Sequence, residues 1–218
     1  MAIPTLGVDI DVILANEPSR ASFFAEEQTL TFQSQWTGLE QRVRRFYRWR
    51  ARMEWTLLSR AQAYAVLRYF NRYNMGEAFR IYDPVRQDPS GDVTATVLST
   101  EVGGTGIKVN GGGQTGRTLN VRDIPNRGSS VKLLGAGDLL TFKDTGQMVE
   151  VFADVLGTSG TTGTIELSQY IRTPPADGEL IFVQYAPVKM RLAQSVVPDV
   201  QDGPAQFGFA VDLVEAIA

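Results

Sequence analysis

RVRRFYRWRARMEWTL, residues 42–57, repeats with a period of two. Its odd positions read Val43, Arg45, Tyr47, Trp49, Ala51, Met53, Trp55 and Leu57, and its even positions Arg42, Arg44, Phe46, Arg48, Arg50, Arg52, Glu54 and Thr56. Side chains on a strand alternate faces, so the spacing predicts a β-strand that turns an aromatic and aliphatic stripe toward a core and a ladder of guanidinium groups the other way. At about 3.3 Å per residue such a strand would run roughly 50 Å, far beyond the usual five or six residues. That length suits an element of an assembly better than the scaffold of an active site.

Outward from this strand, residues 29–36 alternate Leu30, Phe32, Ser34 and Trp36 against polar partners, which predicts a second strand joined to the first by a turn at Thr37-Gly38. On the other side Ser59 and Gln62 form the S-x-x-Q pattern of a capping box, and Ala63, Val66, Leu67, Phe70 and Tyr73 follow at helical spacing. A helix over 59–75 is therefore expected, closed by Asn74-Met75-Gly76, with a short strand at 78–82 after it. The proline and glycine signals of residues 83–92, DPVRQDPSGD, mark a boundary. Beyond it the chain turns Gly- and Thr-rich. Short apolar runs at 93–98, 107–109, 118–121, 139–142, 148–155, 164–167 and 180–185 suggest a small antiparallel barrel or sandwich, with a hairpin at Lys143-Asp144-Thr145-Gly146.

The last thirty or so residues carry strand patterns at 189–192 and 206–214 but are too few for a core of their own. They are expected to return to the first domain, giving a mainly β chain with one main α-helix. Its parts would be a β-sandwich-like domain, 1–92 and 188–218, and a small antiparallel β-barrel, 93–187, inserted at a surface turn.

Composition narrows the chemistry. The 218 residues include no His and no Cys, which removes imidazole bases, Ser-His-Asp and Cys-His mechanisms, disulfides and most zinc sites. No catalytic residue, cofactor or metal site is predicted. The net charge of −3 is not that of a dedicated nucleic-acid binder, so sequence-specific nucleic-acid recognition is not expected. Charge is nevertheless uneven: residues 1–90 carry twelve Arg and no Lys, whereas 191–218 carry four acids against Arg191. The N-terminal stretch lacks a basic n-region and holds Asp9 and Asp11, so no signal peptide is expected. No apolar run approaches the roughly 20 residues of a membrane span.

Several constellations have ordinary explanations. Gly111-Gly112-Gly113-Gln114-Thr115-Gly116 matches G-x-G-x-x-G, but no helix follows it, and a flexible loop is expected there and at Gly103-Gly104-Thr105-Gly106. Asp9 and Asp11 are too few oxygens for calcium. Glu26-Glu27, Asp83 with Asp88, and Asp199 with Asp202 could serve as acid and base pairs, yet solvated carboxylates are the common case. The arginine ladder has three readings: a phosphate-binding surface, which lacks interleaved aromatics; a solvated face that discourages aggregation; and a subunit interface. The interface is favoured, with Arg42, Arg44, Arg48, Arg50 and Arg52 as its residues, because arginine forms planar bidentate pairs and is enriched in interfaces.

Four segments carry a resemblance to a known family: RWRARMEWTLLSRAQAYAVLRYFNRYNMG at 48–76, residues 79–83 leading into DPVRQDPSG, AGDLLTF at 136–142 followed by YIRTPPADGE at 170–179, and PVKMRLA at 187–193. Together they resemble distal tail proteins of long-tailed bacteriophages and related tail-tip or baseplate components. The resemblance implies a structural virion protein, not an enzyme, whose helix-bearing β domain forms a homohexameric ring between the tail tube and the tail tip or receptor-binding apparatus. Implied partners are further copies of the chain, the tube protein and the hub or tip proteins, with assembly in the host bacterial cytoplasm and residence in the virion tail. Those proteins often append the outer domain, whereas here the last segment is expected to re-enter the first. Two alternatives stand beside this reading, a carbohydrate-binding tail module touching host glycans and a carboxylate-dependent cell-wall-cleaving tail enzyme.

Overall fold

Tyr47, Trp49, Ala51, Met53 and Trp55 are buried, and Arg48, Arg50, Arg52, Glu54 and Thr56 between them are half-buried or exposed, the alternation of a strand. The computed structural model describes residues 16–34, 36–73, 77–93, 106–157, 160–196, 199–201 and 206–217, with the backbone alone for 28–30, 41–46, 199–201 and 206. The chain divides into two compact units, one formed by residues 1–80 and 189–218 and the other by 81–188. Both are mainly β, and the described residues hold a single helix.

The first unit is built on β1 (Arg20–Gln33) and β2 (Glu40–Leu58), antiparallel from Arg20↔Glu54 to Gln33↔Glu40. β14 (Gln206–Glu215) lies on the other side of β2, followed by β12 (Val188–Leu192) and β3 (Phe79–Ile81), while β13 (Asp199–Gln201) pairs with β14. The strands on which the chain leaves and returns, β3 and β12, are thus neighbours in one six-stranded sheet. α1 (Arg60–Arg72) begins at the predicted capping box: Gln62 N donates to Ser59 Oγ, and Ser59 N donates to Gln62 Oε1 at 3.0 Å. Its apolar stripe covers one face of the sheet, where the expected sandwich would have placed a second sheet. Trp55 stacks on Phe209 at 5.1 Å and meets Phe70 edge-on at 5.8 Å, and Phe79 packs against Tyr69 and Phe70. The glycine stop expected at Gly76 lies outside the described residues.

β1 is longer than predicted and ends earlier, because Trp36 belongs to the turn and not to the strand. Ser34 N donates to Leu39 O and Gly38 N to Ser34 O, each at 2.9 Å, and Gly38 takes φ +69°, a conformation in which glycine avoids the Cβ strain. At its other end β2 does not keep the period. Three steps from Trp55 to Leu58 face two from Phe209 to Phe207, so β2 holds one extra residue, and Leu57 sits there at φ +57° with its side chain 65% exposed. The expected burial of Leu57 fails because the bulge turns it outward.

The second unit arranges β4 (Lys108–Val109), β5 (Gly116–Arg122) and β10 (Thr162–Ile171) in one sheet, β7 (Leu139–Phe142), β8 (Met148–Glu150) and β11 (Ile181–Phe182) in another, and β6 (Lys132–Leu134) with β9 (Val155–Leu156) in a third. All three enclose one apolar core that includes Val109, Leu119, Val121, Leu140, Phe142, Val149, Ile165 and Ile181. Among the described residues the expected barrel does not close. Single bridges at Lys108↔Leu180 and Val151↔Leu167, with side-chain bonds such as Glu150 N to Gln169 Oε1, join the first sheet to the second in place of a continuous ladder, and the β10 ladder is interrupted between Glu166 and Ile171. The strand expected at 148–155 splits in two, because after Val151 the chain turns to β10, where Phe152 N donates to Glu166 O. The strand expected at 93–98 falls almost wholly outside the described residues.

Residues 83–92, expected to be a connector belonging with the first domain, are built into the second unit. Ser90 N donates to both carboxylate oxygens of buried Asp138 at 3.0 Å, Asp92 N donates to Lys132 O, and Lys132 N donates back to Asp92 Oδ2. The division between units consequently lies at 80/81, upstream of those turns.

Candidate assembly interface

The arginine ladder forms the face of the β1–β2–β14 sheet opposite α1. Arg52 lies between Ser22 of β1 and Asp212 of β14, Arg50 between Phe24 and Val214, and Arg48 opposite Glu26. Arg50 Nε donates to Glu26 Oε2 at 2.6 Å, Arg52 Nε donates to Glu54 Oε1 at 2.9 Å, and Arg52 reaches Asp212 at 4.0 Å. Arg50 and Arg52 are thus paired within their own sheet. Both remain half-exposed, a setting in which ion pairs contribute roughly 0–1 kcal/mol. Arg42 and Arg44 fall farther out on β2, opposite Thr31 and Thr29, with their side chains outside those described.

Farther out than Trp49, β2 pairs only with β1 among the described strands, since β14 meets β2 from Arg50 to Leu58. The two strands therefore run on as an arm of about 30 Å at 3.3 Å per residue. Every residue from 31 to 40 whose side chain is described is exposed, and the tip carries Phe32, Leu39 and Trp36, the last 97% exposed. Sequence patterning assigned Trp36 to a strand face. The turn expected at Thr37-Gly38 is present but begins earlier, and it takes Trp36 out of the strand.

Carboxylates considered as catalytic pairs are engaged elsewhere. Asp83 accepts from Val85 N and Arg86 Nε, Asp88 Oδ1 accepts from Gln184 Nε2, and Glu26 holds Arg50. Buried Glu179 accepts from three backbone amides, those of Asp144, Thr145 and Ala176, at 2.8, 2.9 and 3.1 Å, fastening the β7–β8 turn to the loop before β11. Buried Glu215 accepts from Trp49 N at 3.0 Å. Glu179 and Glu215 each replace a backbone acceptor for amides that a turn or strand end leaves without one. Asp9, Asp11 and Asp202 lie outside the described residues, and the side chain of Asp199 with them.

The glycine-rich loop is ordered by its own bonds, contrary to its expected flexibility. Gly111 N donates to Asp177 Oδ1, Gly113 N donates to Pro175 O, and the Gln114 amide bonds Asn110 O, Gly111 O, Asn120 O and Asn120 N. The Gly111 and Gly113 amides, two of those that would cradle a phosphate, are thereby occupied. The second glycine cluster lies outside the described residues except Gly106. Among the described residues no group of three or more carboxylates is placed to hold a metal, and no helix is long and apolar enough to cross a membrane.

No family model and no curated protein matches the chain.

Proposed function

We propose that the chain is a structural protein of a bacteriophage tail, a distal tail protein whose first unit forms a ring joining the tail tube to the tail tip. The observation that carries this reading is the two-stranded arm. A ribbon of two strands is marginal on its own, and an arm with an exposed aromatic tip supports a role in contact with another molecule. The four segments quoted above support the family, and the placement of the second β unit between β3 and β12 agrees with a ring-building domain bearing an outer domain. The carboxylates engaged with backbone amides and arginines support a structural protein over a cell-wall-cleaving one.

Closed rings of identical subunits are the usual outcome of heterologous contacts that close, and six copies are expected per tail. Reconstruction of purified tails by electron microscopy, with the chain located by an engineered tag, is the test. A ring of copies at the junction of tube and tip is the expected result, and a single copy refutes the proposal.

A further inference from the structure

Asn110-Gly111 is the one Asn-Gly pair in the 218 residues, and it opens the exposed loop between β4 and β5 in the second unit. Asparagine is among the thermally labile side chains, because the backbone nitrogen that follows it can attack its amide. A following glycine is the most reactive setting, since no Cβ obstructs that nitrogen and the backbone turns freely. Two more glycines follow, so the unfolded stretch Asn110-Gly111-Gly112-Gly113 offers little resistance to the attack.

The reaction uses atoms of the chain and water only. The Gly111 nitrogen gives its proton to solvent and attacks Asn110 Cγ. The new N–Cγ bond closes a five-membered imide, the Cγ–Nδ2 bond breaks, and ammonia leaves with a proton returned from solvent. Water then opens the imide at either carbonyl, giving aspartate or, with the backbone rerouted through Cγ, isoaspartate. The imide nitrogen carries no hydrogen. Any hydrogen bond that Gly111 N donates in the folded chain is therefore lost on the way to the ring.

The fold places a charged acceptor on that N–H. Gly111 N donates to Asp177 Oδ1 at 2.8 Å, and Asp177 is itself held by Arg122 at 3.4 Å. The other polar atom of the same peptide unit is fixed too, since Gln114 Nε2 donates to Asn110 O at 2.9 Å, and Asn110 N donates to Asn120 O at 3.0 Å. An amide bonded to a carboxylate is held more strongly than one bonded to a neutral oxygen. A Gly111 nitrogen deprotonated in that place would set two negative charges at hydrogen-bond distance. Asp177 opposes both proton loss and ring closure.

We propose that Asn110 is a latent deamidation site, kept intact by the Asp177 carboxylate on the Gly111 amide and opened wherever that bond is released. Asp177 acts as a positioning residue, through the nitrogen that would attack. The site belongs to the second unit alone and is independent of what the chain assembles with.

The test is to age the full chain at mildly alkaline pH, native and in guanidinium chloride, and to digest it for mass spectrometry with aspartate and isoaspartate peptides resolved by chromatography. Asp177→Ala is aged natively beside it, with circular dichroism confirming its fold. The denatured chain is expected to deamidate first at Asn110, and the native chain about tenfold or more slowly there, with Asp177→Ala recovering much of the difference, as loss of a half-exposed charge-assisted bond predicts. Amide exchange by NMR separates this from general loosening: the variant should exchange faster at Gly111 while Asn110 N, bonded to Asn120 O, stays protected. Deamidation at Asn110 as fast in the native chain as in the denatured one, first modification at another asparagine, or an Asp177→Ala rate equal to that of the wild type would each overturn the proposal. A slower Asp177→Ala would overturn it in favour of the carboxylate as the base that removes the proton. Faster exchange spread equally over Asn110, Gly111 and Gly113 would overturn the role of this one bond.

Discussion

Replacing Trp55 by alanine should unfold the first unit preferentially, and the structure sets the size of the effect. The indole is almost fully buried, stacked on Phe209 and edge-on to Phe70, and its Nε1 donates to Asn16 O at 2.7 Å. A tryptophan buries about 150–250 Å², worth roughly 4–6 kcal/mol at 25 cal/mol per Å², of which alanine keeps a part. Truncation of buried aromatics accordingly costs about 3–5 kcal/mol. Trp55→Phe keeps a ring between its neighbours but loses the hydrogen bond and some volume, for about 1–2 kcal/mol. Arg50→Ala and Arg52→Ala remove half-exposed pairs worth about 1 kcal/mol or less each. The chain's three tryptophans, at 36, 49 and 55, all lie in the first unit, so urea unfolding followed by tryptophan fluorescence reads that unit alone, with Trp49 as the buried reporter in the variant. The order expected is Trp55→Ala, then Trp55→Phe, then the arginine variants. Arginine variants as damaging as Trp55→Ala would refute the assignment of the two faces.

Two further outcomes follow from the second unit and the arm. Gly91→Ala would place a Cβ 2.2 Å from Leu133 O, against backbone held by the Asp92–Lys132 bonds, and should destabilise the second unit by about 3 kcal/mol. Gly38→Ala, with open space around it but φ +69°, should cost only about 1–2 kcal/mol of strain and leave the second unit untouched; hydrogen exchange resolved by peptide separates the two, and equal effects would contradict the geometry. Glu179→Gln presents one acceptor and one amide to three backbone donors, so about 1–3 kcal/mol should be lost, with faster exchange at Asp144 and Ala176; an unchanged exchange pattern would show that the carboxylate does not fasten these loops.

Much of the first unit was readable because its signals are local and repeated. The period of two from Tyr47 to Thr56 and the Ser59–Gln62 capping box are set by neighbours in sequence, and both are present. The bulge at Leu57 was not readable, since it arises from register against Phe207 and Phe209, far along the chain. β6 was missed because Lys132-Leu133-Leu134 is too short to show any period, and the open barrel because closure depends on ladders between short strands. Of the candidate interface, the residue types were visible but not their partners. Glu26 and Asp212 reach Arg50 and Arg52 only through pairing across the sheet.

β14, last among the strands in chain order, lies at the middle of its sheet, and Trp49 is bonded to Glu215 across 166 residues. A ribosome therefore delivers β2 well before the strand that completes it. At about 5–20 residues per second the wait is on the order of ten seconds, during which the uninterrupted second unit can emerge and fold on its own contacts. Through that interval β2 has an open edge and an apolar stripe. The guanidinium groups at every second position make the unfinished strand a poor template for pairing with another nascent chain. The ladder can thus act before the sheet exists, as a safeguard of synthesis, whatever it touches afterwards.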